Sequence, residues 1–275
     1  MTALLLALGA SLTWGVADFV GPWLGRTWGT LRIMLWGQCS GLLFVTVVVA
    51  IHGGGPRSGA IGWAVLAALS ATIGLVGYYQ GIATGTISVV APIAGASAIV
   101  PVIYGIARGD DPSVGQLVGI GAAIVGVAFA SMEQQDGKRA AAAGVGLAVL
   151  AAVGFGFYFP PMHAAGAADP WWGALLFRFA SVGFVSVAVA ARRPTLRLPR
   201  RVVWIVALVG VGDTLGNILF AAAAGRGLVS LTSVMASLYP VITVGLAAVF
   251  LHERISRMQQ GGVVLTLVGI GLIST

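Results

Sequence analysis

Apolar stretches of about 20 residues recur along the chain, each bounded by charges, glycine or proline. They fall at about 2–24, 31–51, 60–82, 86–107, 113–132, 143–163, 171–191, 202–224, 228–251 and 257–275. A helix of about 20 apolar residues crosses the hydrocarbon core of a bilayer, so the pattern predicts ten transmembrane helices, numbered here as spans 1 to 10. The breaks at 82–86 and 224–228 are the least marked, because only Gly85, or Gly225, Arg226 and Gly227, interrupt apolar sequence there. Ten spans take up roughly 200 residues, and what remains is too short for a sizeable soluble domain.

Composition agrees. The chain of 275 residues is 58% hydrophobic and 8% charged, with mean hydropathy +0.99, whereas a soluble domain carries about 25% charged residues. The net charge of +7 comes from Lys and Arg in short clusters between apolar runs, with no basic face for nucleic acid. Those clusters read as orientation signals. Cys39 is the single cysteine and lies in an apolar run, so no intrachain disulfide is possible; inert packing is the expectation. The N-terminus is apolar from Ala3 onward and lacks the basic start of a secretory signal, so it is expected to stay as span 1. The 41 glycines suit membrane helices that approach closely through small residues. Gly210-Val211-Gly212-Asp213 through Gly216 lies within an apolar span and lacks the preceding strand that a dinucleotide loop needs.

The chain repeats itself. A shift of 143 residues places Asp110 on Glu253, Gln116 on Gln259, Gly119 on Gly262, Val125 on Val268, Gly126 on Gly269 and Ser131 on Ser274. Arg32 and Arg178 hold similar places at an offset of 146. Two five-helix repeats follow, residues 1–135 and 143–275, and an odd number of spans per repeat inserts the second in the opposite sense. The expected fold is therefore all-α and integral to the membrane, with ten helices in two inverted repeats around a central cavity. Loops after odd-numbered spans carry Arg26, Lys138, Arg139, Arg192, Arg193, Arg197, Arg200, Arg201, Arg254 and Arg257, against Arg57, Arg108 and Arg226 after even-numbered ones. The positive-inside rule then places both termini outside.

The C-terminal segment Ser237-Leu238-Tyr239-Pro240-Val241-Ile242, then Leu251-His252-Glu253-Arg254-Ile255, then Gln259-Gln260-Gly261-Gly262, resembles the end of an EamA domain of the drug/metabolite transporter superfamily. The first half resembles a weaker copy, with Trp14-Gly15 in span 1, Arg32 opening span 2, and Gly109-Asp110-Asp111-Pro112 where the family usually has Gly-Glu-Arg. The resemblance implies a multi-pass inner or plasma membrane carrier of small metabolites, often amino acids or their derivatives, commonly moved outward. It also implies a cavity lined by spans 1, 3, 4, 6, 8 and 9. Members are often drawn with cytoplasmic termini, contrary to the charge count, and both orientations stay open. The expected partners are a small-molecule substrate and the bilayer, with a proton as a further candidate; the protein would be a monomer or homodimer with no cofactor and no metal. A passive channel, or a membrane subunit of a larger complex, is the alternative.

Ionisable groups inside spans are costly and are functional candidates. Asp213 lies near the middle of span 8, and Asn217, four residues on, shares its face. Together they are expected to hold the polar part of a small zwitterionic or cationic metabolite, with Trp14 and Tyr239 against its apolar part. Asp18 in span 1 and Arg32 at the start of span 2 are placed to form an ion pair, either a gate or a fixed brace, and Asp18 or Asp213 is the candidate for proton coupling. Arg178 is expected either to meet a substrate carboxylate or to snorkel to the interface. Tyr78 and Tyr79 near the end of span 3 are read as ligands or as interfacial anchors. Pro240 in span 9, and Pro92 and Pro101 in span 4, remove backbone donors in equivalent helices, a mark of interrupted helices near a site. His163 is expected to be solvated. No HExxH, GxSxG or CxxC is present, and Asp18 and Asp213 are expected at different depths, which argues against an aspartyl dyad.

Overall fold

A computed structural model describes residues 1–84, 90, 93–131, 144–250 and 256–274. The described chain is helical nearly throughout. The helices are α1 Thr2–Trp28, α2 Thr30–His52, α3 Ser58–Thr84, α4 Ile99–Ala107, α5 Val114–Ser131, α6 Val145–Ala168, α7 Pro170–Arg192, α8 Arg200–Ala224, α9 Val229–Ala236, α10 Tyr239–Phe250 and α11 Arg257–Ile273. Six of them, α1, α2, α3, α6, α7 and α8, are long and apolar enough to cross a membrane; the remaining apolar helical stretches run over Ile93–Ala107, Val114–Ala130, Val229–Thr243 and Arg257–Ile273.

Local sequence explains several boundaries. Asp169 precedes Pro170, and its carboxylate accepts from the amides of Trp171 (2.9 Å) and Trp172 (3.0 Å), capping α7. The turn expected at 224–228 separates α8 from α9. In α11 the Ser256 hydroxyl accepts from the Gln259 amide (3.2 Å), while the Gln259 side chain accepts from the Ser256 amide (2.8 Å). Ser113 and Gln116 make the same reciprocal pair at the start of α5, at 3.2 and 3.0 Å. Such a capping box satisfies two orphan amides at once, and here it recurs at the 143-residue shift.

Span 9 is two helices. The chain turns at Ser237 and Leu238, immediately before Tyr239 and Pro240, where proline has no amide to continue the ladder of α9. Span 4 is likewise interrupted, by a 3₁₀ turn at Ala96–Ala98 ahead of α4. Pro101 lies within α4, whereas Pro92 and Gly85 lie outside the described residues.

Several packing pairs map onto one another when each helix is exchanged for its counterpart. α1 packs on α8 as α3 does on α6, α2 on α8 as α7 does on α3, and α2 meets α7, its own counterpart. α5 and α11 also pack on each other. Gly119 faces the Gly269 backbone and Gly126 faces the Gly262 backbone, so closely that a Cβ at either position would overlap its partner. Residue numbers rise along one helix as they fall along the other, so these equivalent helices run antiparallel.

Candidate substrate-binding site

A cavity opens among α1, α2, α3, α6, α7, α8 and α10. The expected lining by spans 1, 3, 4, 6, 8 and 9 therefore needs correction. Gln38 of α2 and Phe177 and Ser181 of α7 line it as well, and span 4 supplies none of its described lining. The reason is the crossing of α2 and α7, which brings both helices to the centre.

Arg178 organises one wall. It is 1% exposed, with Nη2 donating to Asp213 Oδ2 at 2.7 Å and Nη1 to Gln38 Oε1 at 2.5 Å. A buried guanidinium needs such partners, and both come from facing helices. Snorkelling is thus excluded, and Asp213 is already paired. Asn217 donates to the Asp213 carbonyl (2.7 Å) and accepts from the Tyr158 hydroxyl (2.6 Å), while the Trp14 indole N–H reaches the same carbonyl at 3.2 Å. The Trp14 ring packs edge-on against Tyr158 and Phe159, with centroids 5.8 and 6.2 Å away, and is tilted against Phe220 at 6.1 Å.

Asp18 also lines the cavity, yet among the described residues it has no hydrogen bond or ion pair. The expected pair with Arg32 does not form. Arg32 instead donates to the Arg197 carbonyl (3.1 Å) in the loop before α8, and Trp36 donates to Leu196 there at 2.9 Å. That loop draws the guanidinium to the surface and away from Asp18. The different depths expected for Asp18 and Asp213 are also corrected, because α1 and α8 run antiparallel, with Gly216 against Trp14 and Gly21 near Val209. The two carboxylates come to one level and share both the main cavity and a smaller one beside it.

The remaining candidates are distributed around this centre. Tyr239 lines the main cavity and Tyr79 the smaller one. Tyr78 is 1% exposed and packs on Phe155, centroids 5.9 Å apart, so neither Tyr78 nor Tyr79 is an interfacial anchor. His163 is half-buried, with Nε2 3.3 Å from the Gly227 carbonyl; it is not a solvated side chain. Cys39 is exposed on α2 and is not packed in the core. Glu253 and Arg254 lie outside the described residues. Asp110, by contrast, accepts from both the amide (2.8 Å) and the hydroxyl (2.7 Å) of Ser230, so it caps the start of α9. Sequence reasoning missed Gln38, Thr72, Tyr158 and Ser181; the available signal was a polar side chain inside an apolar span, or one turn beyond Arg178.

A solved structure described as "Crystal structure of protein" superposes with TM-score 0.81 at 14% identity, covering 100% of this chain and 98% of that one; this likeness shows the fold. A comparison with curated protein sequences gave no match. The model of the EamA-like transporter family matches twice, over residues 1–132 and 142–275, which together take in nearly the whole chain. With its multiple apolar helices, the chain belongs to the EamA-like transporter family and is a multi-pass membrane transporter of the drug/metabolite transporter superfamily.

Proposed function

We propose that the protein is a secondary active carrier that moves a small amine-bearing, amino-acid-like metabolite outward across the inner or plasma membrane by alternating access. The observation that carries this reading is the unpaired Asp18 carboxylate beside an Arg178–Asp213 pair. With both carboxylates ionised, the three groups sum to one negative charge, and an ammonium group at Asp18 neutralises it. Trp14 and Tyr239 offer aromatic surface to a cation or to the apolar part of the substrate. Asp213 and Asn217 form the polar wall, held by Arg178 and Tyr158. Tyr78 and Tyr79 support α3 behind the site. A proton on Asp18 would replace the ammonium when the substrate leaves, which couples transport to the proton gradient.

Ten spans in two inverted repeats, 1–135 and 143–275, suit this mechanism. The antiparallel crossing of α5 and α11, the repeated capping box and the paired interruptions in spans 4 and 9 support that arrangement. The outward direction rests on the family resemblance. Reconstituted in liposomes, the protein should show saturable uptake and counterflow of primary-amine metabolites, both lost in Asp18→Asn. Amine flux that neither saturates nor shows counterflow would refute the carrier reading, and unchanged counterflow in Asp18→Asn would remove the carboxylate from it.

A further inference from the structure

The cavity that Asp18 lines also carries hydrogen-bond donors without an acceptor among the described residues. Gln38 lines both cavities, and its side-chain oxygen is taken by Arg178. A carboxamide held by its oxygen turns its two N–H donors the other way. Arg178 stands behind the wall, outside the cavity lining, so those donors face into the space. Ser181, one turn beyond Arg178 on α7, is 1% exposed and lines the same cavity, and its hydroxyl has no partner among the described residues. The Thr72 hydroxyl on α3 lines it too and is also buried and unpartnered.

Hydroxyls in membrane helices ordinarily bond back to the carbonyl four residues earlier. Thr214, Thr232 and Thr266 do so here, at 2.7, 2.8 and 2.9 Å. Thr72 and Ser181 do not. A buried polar group without a partner costs free energy, and two of them lining one cavity with the Gln38 amide mark a place for an acceptor. The three donors come from α2, α3 and α7, which pack on one another.

We infer that Gln38, Ser181 and Thr72 form a carboxylate subsite in the cavity that Asp18 also lines, so that the transported molecule is a zwitterion held by its ammonium at Asp18 and by its carboxylate at these donors. This rests on the amine reading above and adds the second pole. Neutral donors suit a carboxylate that must later leave, since the neighbouring Arg178 is already occupied by Asp213.

The test uses full-length protein in detergent and matched probes that differ only in the carboxylate: alanine with ethylamine, leucine with isopentylamine, and phenylalanine with phenethylamine. For at least one pair the amino acid should bind about tenfold or more tightly than its amine, the size expected for hydrogen bonds to a charged group. In Thr72→Val with Ser181→Ala that ratio should fall below about threefold, with ligand-free melting of the variant establishing that it is folded. If the variant does not fold, Ser181→Ala alone should lower the ratio. Amines that bind as well as their amino acids, or a ratio unchanged in the folded variants, overturn the carboxylate subsite and leave the amine reading standing. Failure of every amine and amino acid to bind overturns both.

Discussion

Arg178 and Asp213 meet at 2.7 Å between α7 and α8, with the guanidinium 1% exposed and the carboxylate 27% exposed to the cavity. Asp18 stands at the same level and has no such partner among the described residues. The two acids therefore differ in what their removal should do. Asp213→Ala leaves a buried cation uncompensated and should cost about 3 kcal/mol, the lower end of the range for a broken buried pair, because the cavity reaches the carboxylate. Thermal unfolding in detergent measures it, and a loss below about 1 kcal/mol would show that the pair is not held in a buried setting.

Asp18→Asn removes no contact and takes away an unpaired charge, so it should leave stability unchanged or raise it. Transport should nevertheless be lost. Measuring melting and counterflow on the same preparation separates a binding carboxylate from a structural one.

Tyr158→Phe deletes the donor to Asn217 Oδ1 while keeping the ring in its aromatic cluster. The buried acceptor left behind should cost about 1–3 kcal/mol. Substrate affinity should drop with it, since Asn217 then loses the bond that fixes its amide. Calorimetric binding to Tyr158→Phe would detect that loss.

Gly126→Val should press α5 against the Thr266 and Gly262 backbone of α11 and destabilise by about 1–3 kcal/mol, as overpacking does. The crossing lies away from the cavity lining, so the dissociation constant for a bound amine should hold. A changed dissociation constant in folded Gly126→Val would mean that the crossing sets the shape of the site.

Asp110→Ala removes the acceptor for the Ser230 amide and hydroxyl at the start of α9. The expected cost is that of a lost cap, about 0.5–2 kcal/mol, and amide exchange over 230–232 should quicken. Asp110→Glu, with the acid that the second half carries at Glu253, should restore part of the protection.

Much of the helical pattern was legible because lipid enforces length and hydropathy on membrane helices, and six of the expected spans are single helices long and apolar enough to cross a membrane. Asp18, Asp213, Asn217 and Trp14 stood out as polar or aromatic side chains in apolar surroundings, and all four line the cavity. What the sequence could not reveal was pairing. Arg32 and Arg178 look equivalent along the chain, yet one meets a loop carbonyl and the other a carboxylate. That difference depends on the crossing of α2, α7 and α8 and on the path of residues 193–199, which hydropathy does not encode. Gln38, Thr72 and Ser181 were hidden for a related reason: a single neutral polar residue in a span is ordinary, and only its lack of a partner makes it informative.

The unequal fates of Arg32 and Arg178 have an energetic consequence. Two halves with the same scaffold and the same chemistry would give two end states of equal free energy, each half populated at rest. Here the buried cation and its two ligands bear mainly on one half, so exchanging the roles of the halves does not return an equivalent molecule. Each 1.4 kcal/mol of that inequality biases the unloaded populations about tenfold. On the alternating-access mechanism proposed above, the carrier would then wait predominantly on one side of the membrane for its cargo, and this built-in bias, to which the buried arginine contributes, would decide at which face a rare substrate is captured first.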